Sequence, residues 1–185
     1  MPPPARGPAA CPSANSRRDG IRLKILGIVG WSGSGKTTLL TALLPLLRAE
    51  GLTVSTVKHT HHGFDMDRPG KDTYRHREAG AQEVLVSGGQ RWALLHEVSG
   101  PEPTLPELLA RMTPVDIVLV EGFKSHPFPK LEVHRPALGK PTIWPEQPDI
   151  VAIATDAPVT CDRAVLPLNQ PEQITAWILS TSTLM

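Results

Sequence analysis

Apolar runs alternate with helical patterns along most of the chain. The first of them predict a strand at 22–29, a helix at 36–49 and a second strand at 52–58. The run Val115–Val120 is almost continuously apolar, as expected of a parallel strand that is buried on both faces. This alternation predicts an α/β fold in three layers, with a mostly parallel sheet flanked by helices on both faces.

Weaker patterns predict the remaining elements. Ser87-Gly88-Gly89 has the composition of a turn between adjacent strands. The other predicted elements are helices at 71–79, 104–112 and 172–181, and strands at 83–86, 91–98, 131–134 and 150–155. Ligands of open α/β sheets bind beyond the carboxyl ends of the strands, so a binding site is expected in the loops that follow them.

The loop after the first strand carries a phosphate-binding motif. Residues 30–37, Gly-Trp-Ser-Gly-Ser-Gly-Lys-Thr, match G-x-x-x-x-G-K-[ST] between an apolar strand and an apolar-periodic helix, a context that an ordinary Gly-rich turn does not explain. Lys36 is expected to reach the β- and γ-phosphates, and the Thr37 hydroxyl to coordinate Mg²⁺. The motif predicts a nucleoside triphosphate site formed by Gly30, Ser32, Gly33, Ser34, Gly35, Lys36, Thr37 and Thr38.

Two carboxylates flank the buried strand at 115–120. Glu121 follows its carboxyl end, where folds of this type place a residue that contacts Mg²⁺ directly or through water, whereas Asp116 lies near the opposite end. We therefore predict Glu121 as the metal-supporting and catalytic partner of Lys36, with a loop-capping role as its alternative. A structural role at the strand entrance is expected for Asp116.

A loop rich in histidine and aspartate follows the second strand. Its density of such residues from Lys58 to Asp67 allows a transition-metal site, but consecutive residues seldom converge on one ion. We instead predict a loop that meets the γ-phosphate, Mg²⁺ or an anionic second ligand, with Lys58 and His59 nearest the phosphates. Lys71 begins the next helix, whose start is expected either to bind a further anion or to be an ordinary solvated surface.

Composition and charge narrow the class of protein. Residues 1–20 are rich in Pro, Ala and Arg and lack an apolar core, so a disordered tail is expected before a nucleotide-binding domain at 21–185. The net charge of +1 gives no basic field for nucleic acid, and no segment is apolar enough to span a membrane. The two cysteines, Cys11 and Cys161, favour neither a disulfide framework nor a zinc site, which suggests a cytoplasmic protein.

Several strings together resemble one family. They are Gly30–Thr37, Val57–His62, Asp67–Tyr74, Arg91–Leu94 and Leu119–Lys124. They resemble the MobB family of phosphate-loop GTP-binding proteins, the adaptors of molybdopterin-guanine dinucleotide biosynthesis, over about residues 22–182. The resemblance implies GTP and Mg²⁺ as ligands, at most weak GTP hydrolysis, a homodimer, and partnership with the molybdenum cofactor guanylyltransferase. It also implies that the His59–His62 and Gly70–Asp72 segments face the nucleotide or molybdopterin, a further candidate ligand.

Two positions bear on mechanism and on base selection. Relatives in the wider class of dimeric phosphate-loop proteins can carry a lysine directly after the first glycine of the loop, where this chain has Trp31, so fast dimer-activated hydrolysis by that route is not expected. The chain also has no Asn-Lys-x-Asp string. Guanine selection needs a carboxylate that accepts the N1 and N2 hydrogens, and Asp156 after the apolar run 150–154 is the best-placed one, with a simple loop role as its alternative.

Two other functions share parts of this motif set. A small-molecule kinase needs a lid over the phosphates, for which the segment 124–135 is the one plausible stretch. A metallochaperone GTPase would hand over a metal through His59, His61 and His62. Kinase activity would give a phosphorylated acceptor that depends on Lys36, and a metallochaperone would bind stoichiometric Zn²⁺ or Ni²⁺ through the histidines.

Overall fold

The computed structural model of the protein describes residues 23–60 and 63–181. The predicted tail at 1–20, the start of the predicted domain at residue 21, and His61 and His62 lie outside these ranges. In the described ranges, no helix is both long and apolar enough to cross a membrane.

The strands and helices follow the order predicted from the sequence, with one further strand before the last helix. In chain order the elements are β1 (Lys24–Val29), α1 (Lys36–Ala49), β2 (Val54–Lys58), α2 (Asp72–Glu78), β3 (Glu83–Ser87), β4 (Trp92–His96), α3 (Leu105–Leu109), β5 (Ile117–Glu121), β6 (Lys130–His134), β7 (Ile150–Thr155), β8 (Ala164–Pro167) and α4 (Pro171–Ser180). Short 3₁₀ turns at Pro136–Leu138 and Trp144–Glu146 lie between β6 and β7.

Six parallel strands form the main sheet, in the order β2-β5-β1-β6-β7-β8. The strand that precedes the phosphate loop, β1, is therefore central, with β5 on one side and β6 on the other. All the strands point the same way, so the phosphate loop, Glu121 and the residues after β6 and β7 share one edge of the sheet. This edge is the one at which the sequence predicted a binding site.

Helices cover both faces of the sheet, because alternate residues of each buried strand face opposite layers. Ile117 and Leu119 of β5 belong to the core beneath α1 and α4, whereas Val118 and Val120 pack with Leu105 of α3. On α1 the buried leucines at 39, 43 and 47 recur at intervals of four and form one apolar stripe. The predicted α/β fold in three layers is confirmed.

The sequence pattern did not separate one part of the chain from the parallel sheet. β3 and β4 pair with each other in antiparallel register and form a two-stranded sheet of their own, with Ser87 opposite Trp92 across the predicted turn. The strand β8 was not predicted, since it has only four residues and ends in Pro167. Pro167 is tolerated there because β8 is an edge strand.

Candidate nucleotide-binding site

The phosphate loop connects the end of β1 to the start of α1. Within it, the backbone N–H of Ser34 donates to the carbonyl of Trp31 at 3.1 Å and closes a tight turn. In the described part of the chain, no backbone hydrogen bond uses the N–H groups of Gly33, Gly35, Lys36 or Thr37. Free N–H groups at the first turn of a helix form a natural site for an anion such as a phosphate.

Lys36 provides the positive charge of the loop. Its ammonium donates to the carbonyl of Trp31 at 2.8 Å. Partial burial lowers the pKa of Lys36, the carboxylate of Glu121 acts in the opposite direction, and the nearby charges of Lys124 and Lys58 lower it further. Three lysines and one carboxylate thus surround the position where a triphosphate is expected.

Thr37 and Glu121 meet across two different strand ends. The Thr37 hydroxyl lies 3.4 Å from both carboxylate oxygens of Glu121. The pairing of β1 with β5 in parallel register, which sets Ile28 opposite Glu121, brings them together. A hydroxyl and a carboxylate are the hard oxygen ligands that Mg²⁺ prefers, so this donor set fits the ion that the motif implies.

These residues line a single cleft of about 330 Å³. Its walls are Ser32, Gly33, Gly35, Lys36, Thr37, Thr38 and Glu121. The remaining predicted phosphate-loop residues lie close by: Gly30 ends the strand side of the loop, and Ser34 is buried beneath it. All eight predicted loop residues and Glu121 therefore belong to one place in the fold.

Lys58 and His59 lie beside Glu121, at one wall of this cleft. Lys58 is opposite Glu121 in the parallel register of β2 and β5, and the backbone N–H of His59 donates to the Glu121 carbonyl at 2.8 Å. The His59 ring stacks on Phe123 with 4.3 Å between ring centroids, and its Nε2 lies 2.6 Å from Glu102 Oε1. His59 thus holds the backbone around Glu121 in place.

The aspartates of the following loop serve its own folding. Asp67 accepts a hydrogen bond from the Thr73 hydroxyl at 2.7 Å. Asp65 accepts a hydrogen bond from the backbone N–H of Asp67 and pairs with Arg77 at 2.9 Å. The backbone hydrogen bond is the larger and Arg77 the smaller of these two causes that lower the pKa of Asp65. Among the described residues, no group of three or more His, Cys, Asp or Glu side chains could hold a metal ion. His61 and His62, on which the metallochaperone alternative depends, lie outside those residues.

The contacts of Lys71 lie away from the phosphate cleft. It precedes α2 with an exposed side chain, and its backbone N–H donates to the carbonyl of Arg68 at 3.1 Å. Among the described residues, no hydrogen bond or ion pair joins Lys71 to the phosphate loop. Its predicted role as an anion-binding residue stays a prediction.

The two other acidic residues singled out from the sequence occupy opposite ends of the sheet. Asp116 accepts from the backbone N–H of Thr53 at 2.7 Å at the amino end of β5, so its expected structural role is confirmed. Asp156 follows β7 and lines a second cleft of about 480 Å³ between the ends of β7 and β8, with walls from Ala157, Pro158, Leu168 and Asn169.

Comparison with known proteins shows to which family the chain belongs. The family model described as "Molybdopterin guanine dinucleotide synthesis protein B" matches residues 25–156, which include the phosphate loop, Glu121 and Asp156. The chain belongs to the MobB family. The resemblance stated from the sequence motifs is therefore confirmed.

Individual MobB relatives match most of the chain. The chain is 43% identical over 161 residues to the molybdopterin-guanine dinucleotide biosynthesis adapter protein of Haemophilus influenzae, covering 85% of this chain and 88% of the relative. It is 39% identical over 161 residues to the Escherichia coli protein of the same name, covering 85% and 92%. A crystal structure of molybdopterin-guanine biosynthesis protein B superposes with a TM-score of 0.68 at 28% identity, covering 84% of this chain and 98% of that one.

Trp31 occupies the second position of the phosphate loop. Its indole N–H donates to the carbonyl of Pro141 at 2.7 Å, and the ammonium groups of Lys124 and Lys140 lie 5.7 and 5.8 Å from its ring centroid. The ring is therefore attached to the loop before β7. Cation–π attraction thus holds Lys124, already counted near Lys36, and adds Lys140 as a further positive charge close to the phosphate loop.

The small-molecule kinase alternative depends on a lid over the phosphates. The sequence offered the segment 124–135 as the one plausible lid, but residues 130–134 are β6, a fully buried central strand. The ammonium of Lys130 is buried and donates to the carbonyl of Phe128 at 3.2 Å, and burial lowers its pKa although Asp149 acts in the opposite direction. Residues 130–134 of the candidate lid segment therefore belong to the core and cannot close over the phosphates.

Sequence reasoning named Arg135 only as the end of the candidate lid segment and did not predict its contact with the phosphate loop. Arg135, directly after β6, donates from Nε to the Ser34 carbonyl at 3.0 Å and pairs through Nη1 with Asp156. The local signal was weak, since an arginine between His134 and Pro136 resembles an ordinary strand end. The parallel pairing of β1, β6 and β7 is what places it between the two clefts.

Proposed function

We propose that this MobB-family protein binds Mg-GTP and assists the guanylyltransferase that forms molybdopterin guanine dinucleotide, with at most weak GTP hydrolysis of its own. The observation that carries the proposal is the approach of the Thr37 hydroxyl to within 3.4 Å of Glu121 at the mouth of the phosphate loop. The relatives are named adapter proteins of this biosynthesis, which supports the biological role.

The phosphates would be held by the loop and its lysine. The N–H groups of Gly33, Gly35 and Thr37 face the anion, and Lys36 neutralises charge on the β- and γ-phosphates. Thr37 and Glu121 would hold Mg²⁺, which would supply positive charge against the phosphates. Lys58 and Lys124 add positive charge around the same cleft.

Slow hydrolysis follows from what surrounds the phosphates. Rapid GTPases place an additional positive side chain on the transferred phosphoryl group, which accelerates the reaction by about 10³ to 10⁵. In this chain the loop position after Gly30 is a tryptophan that is held by Pro141, so no lysine reaches across from that position. We therefore assign Lys36 and Glu121 to ligand binding and charge stabilisation, with turnover as a minor outcome.

Guanine selection is assigned to Asp156. Its carboxylate lies at the entrance of the second cleft, where it would accept hydrogen bonds from N1 and N2 of guanine. Adenine presents an acceptor at N1, which the same carboxylate would repel. The apolar walls formed by Pro158 and Leu168 suit the faces of a purine ring.

The β3–β4 sheet is proposed as the surface for homodimerisation. Leu85, Trp92 and Leu94 lie on one face of it in the antiparallel register, and they are 61%, 67% and 44% exposed. Contiguous apolar surface of this kind commonly marks a protein interface, and a second copy would cover it with the same residues. The guanylyltransferase would then meet the phosphate edge of the main sheet, where molybdopterin is a further candidate ligand near His59.

Calorimetric titration of the full chain with Mg-GTP and Mg-ATP in parallel tests the central proposal. We expect GTP to bind at least about tenfold more tightly than ATP, a difference of ~1.4 kcal/mol. Lys36→Met should lose binding of both nucleotides, whereas Lys24→Met, at the other end of β1, should bind as the wild type does. Equal or tighter binding of ATP would refute the guanine assignment, and unchanged affinity in Lys36→Met would refute the phosphate site.

A further inference from the structure

Arg135 lies between the phosphate loop and the second cleft. One of its N–H groups, on Nε, donates to the carbonyl of Ser34 at 3.0 Å, and another, on Nη1, contacts Asp156 Oδ2. The side chains of Arg135 and Asp156 are only 32% and 23% exposed. A single partly buried guanidinium therefore joins the loop expected to bind phosphates to the carboxylate expected to select the base.

The sheet itself dictates this placement. His134, the last residue of β6, is opposite Thr155, the last residue of β7, so Arg135 and Asp156 emerge side by side at the same edge. On the other side, β6 pairs with β1, whose end begins the phosphate loop. The contact of Arg135 with both neighbours is thus a result of strand order and parallel direction.

The guanidinium of Arg135 packs against the phosphate loop at Gly35. A Cβ atom added at Gly35 would lie 3.4 Å from Arg135 Nε and 3.5 Å from Nη2. The guanidinium therefore lies directly against the loop backbone just before Lys36. Only arginine among the basic residues has a planar fork that donates to two partners in fixed geometry, which lysine cannot reproduce.

We propose that Arg135 is a positioning residue that couples phosphate binding to base selection. It holds the Asp156 carboxylate in the orientation that accepts hydrogen bonds from N1 and N2 of guanine. Its own position is fixed by the hydrogen bond from Nε to the Ser34 carbonyl of the phosphate loop. The proposal rests on the GTP-binding function proposed above. Arg135 itself contacts neither the reacting phosphate nor the metal ligands.

The consequence is a selective loss when Arg135 is changed. Without its guanidinium, Asp156 is no longer held at one angle, so the guanine contacts weaken. ATP makes no favourable contact with Asp156, and the loop keeps its own bonds from Ser34 N and Lys36 Nζ to the Trp31 carbonyl. The affinity for GTP should therefore fall while the affinity for ATP is retained.

Titrations of the full-length wild type, Arg135→Gln and Arg135→Lys with Mg-GTP and Mg-ATP test the coupling. We expect GTP affinity to fall about tenfold or more in both variants, with ATP affinity changed less than about twofold. Arg48→Gln, an exposed arginine at the end of α1, serves as the matched control and should match the wild type. Thermal melting of each variant confirms that it is folded at the titration temperature.

A double-variant cycle separates coupling from independent effects. If Arg135 acts through Asp156, adding Asp156→Asn to Arg135→Gln should cost little further GTP affinity. Additive losses, or equal losses for GTP and ATP in Arg135→Gln, would overturn the coupling. If the wild type bound GTP no more tightly than ATP, the result would overturn the proposed guanine selection itself. A clear wild-type preference that Arg135→Gln leaves unchanged would overturn only the role of Arg135.

Discussion

The Thr37 hydroxyl faces both carboxylate oxygens of Glu121 at 3.4 Å, although the two residues are 84 positions apart in the sequence. One follows the central strand β1 and the other ends its neighbour β5. In a parallel sheet both must emerge at the same edge. This relationship converts two separate sequence motifs into one candidate magnesium site.

Removing the hydroxyl should remove the contribution of Mg²⁺ to nucleotide affinity. Thr37→Val keeps the shape of the side chain, and we expect GTP affinity in Mg²⁺ to fall about tenfold, to the level measured in EDTA. Thr41→Val is the matched control, because the Thr41 hydroxyl donates to the Thr38 carbonyl one turn further along α1. If GTP affinity of Thr37→Val depended on Mg²⁺ as strongly as that of the wild type, Thr37 would not be a ligand of the ion.

Changing the carboxylate that selects the base should change which base is preferred. Xanthine carries a carbonyl at C2 where guanine has an amino group, so the amide of Asp156→Asn can donate to it. We expect this variant to bind xanthosine triphosphate about tenfold or more tightly than GTP, the reverse of the wild type. Competition titrations measure the ratio, with Asp162→Asn on the following exposed loop as the control. A variant that still prefers GTP would place base selection elsewhere.

Charge on the exposed face of the β3–β4 sheet should prevent dimerisation. Trp92→Glu places a carboxylate at a position that is 67% exposed in one chain and would be buried between two copies. Light scattering should give twice the chain mass of 20.0 kDa for the wild type and the single chain mass for the variant. Leu179→Glu on α4, where the leucine is 38% exposed, should leave the mass unchanged. A dimeric Trp92→Glu would exclude this face.

Replacing Gly122 with alanine should destabilise the protein more than the same change at Gly51, although both glycines have positive φ. Gly122 has φ 104° and Gly51 has φ 81°, so alanine is strained at both by about 1 kcal/mol. A Cβ at Gly122 would also lie 2.8 Å from the Cβ of His59 and 2.9 Å from its carbonyl oxygen, whereas Gly51 has open space. Chemical denaturation should therefore show that Gly122→Ala costs ~1–3 kcal/mol more than Gly51→Ala.

The same clash should reach the candidate metal site. His59 N–H bonds the Glu121 carbonyl, so a shift of His59 displaces the residue before Gly122. We expect Gly122→Ala to weaken Mg-GTP binding and Gly51→Ala to leave it unchanged. Equal losses of unfolding free energy in the two variants would show that the backbone around Glu121 shifts to relieve the clash without destabilising the protein.

Local pattern was enough to predict most of the elements and the phosphate loop. Buried strands such as β5 are continuous apolar runs, and α1 has leucines at intervals of four, so these elements can be predicted from neighbouring residues alone. The phosphate loop is contiguous, and its chemistry depends on backbone groups and on Lys36 and Thr37 within the same stretch. Glu121 was predicted because it follows the clearest strand at the end where ligands bind.

The sequence by itself thus determined the α/β class, the phosphate loop and the side of the sheet on which the site lies, because these depend on short-range periodicity and contiguous residues. Only the tertiary structure decided that β3 and β4 leave the parallel sheet, that residues 130–134 are core and not lid, and that Arg135 joins Ser34 to Asp156. Those outcomes depend on strand order, which is set by packing between residues far apart in the chain and leaves no mark in any local stretch.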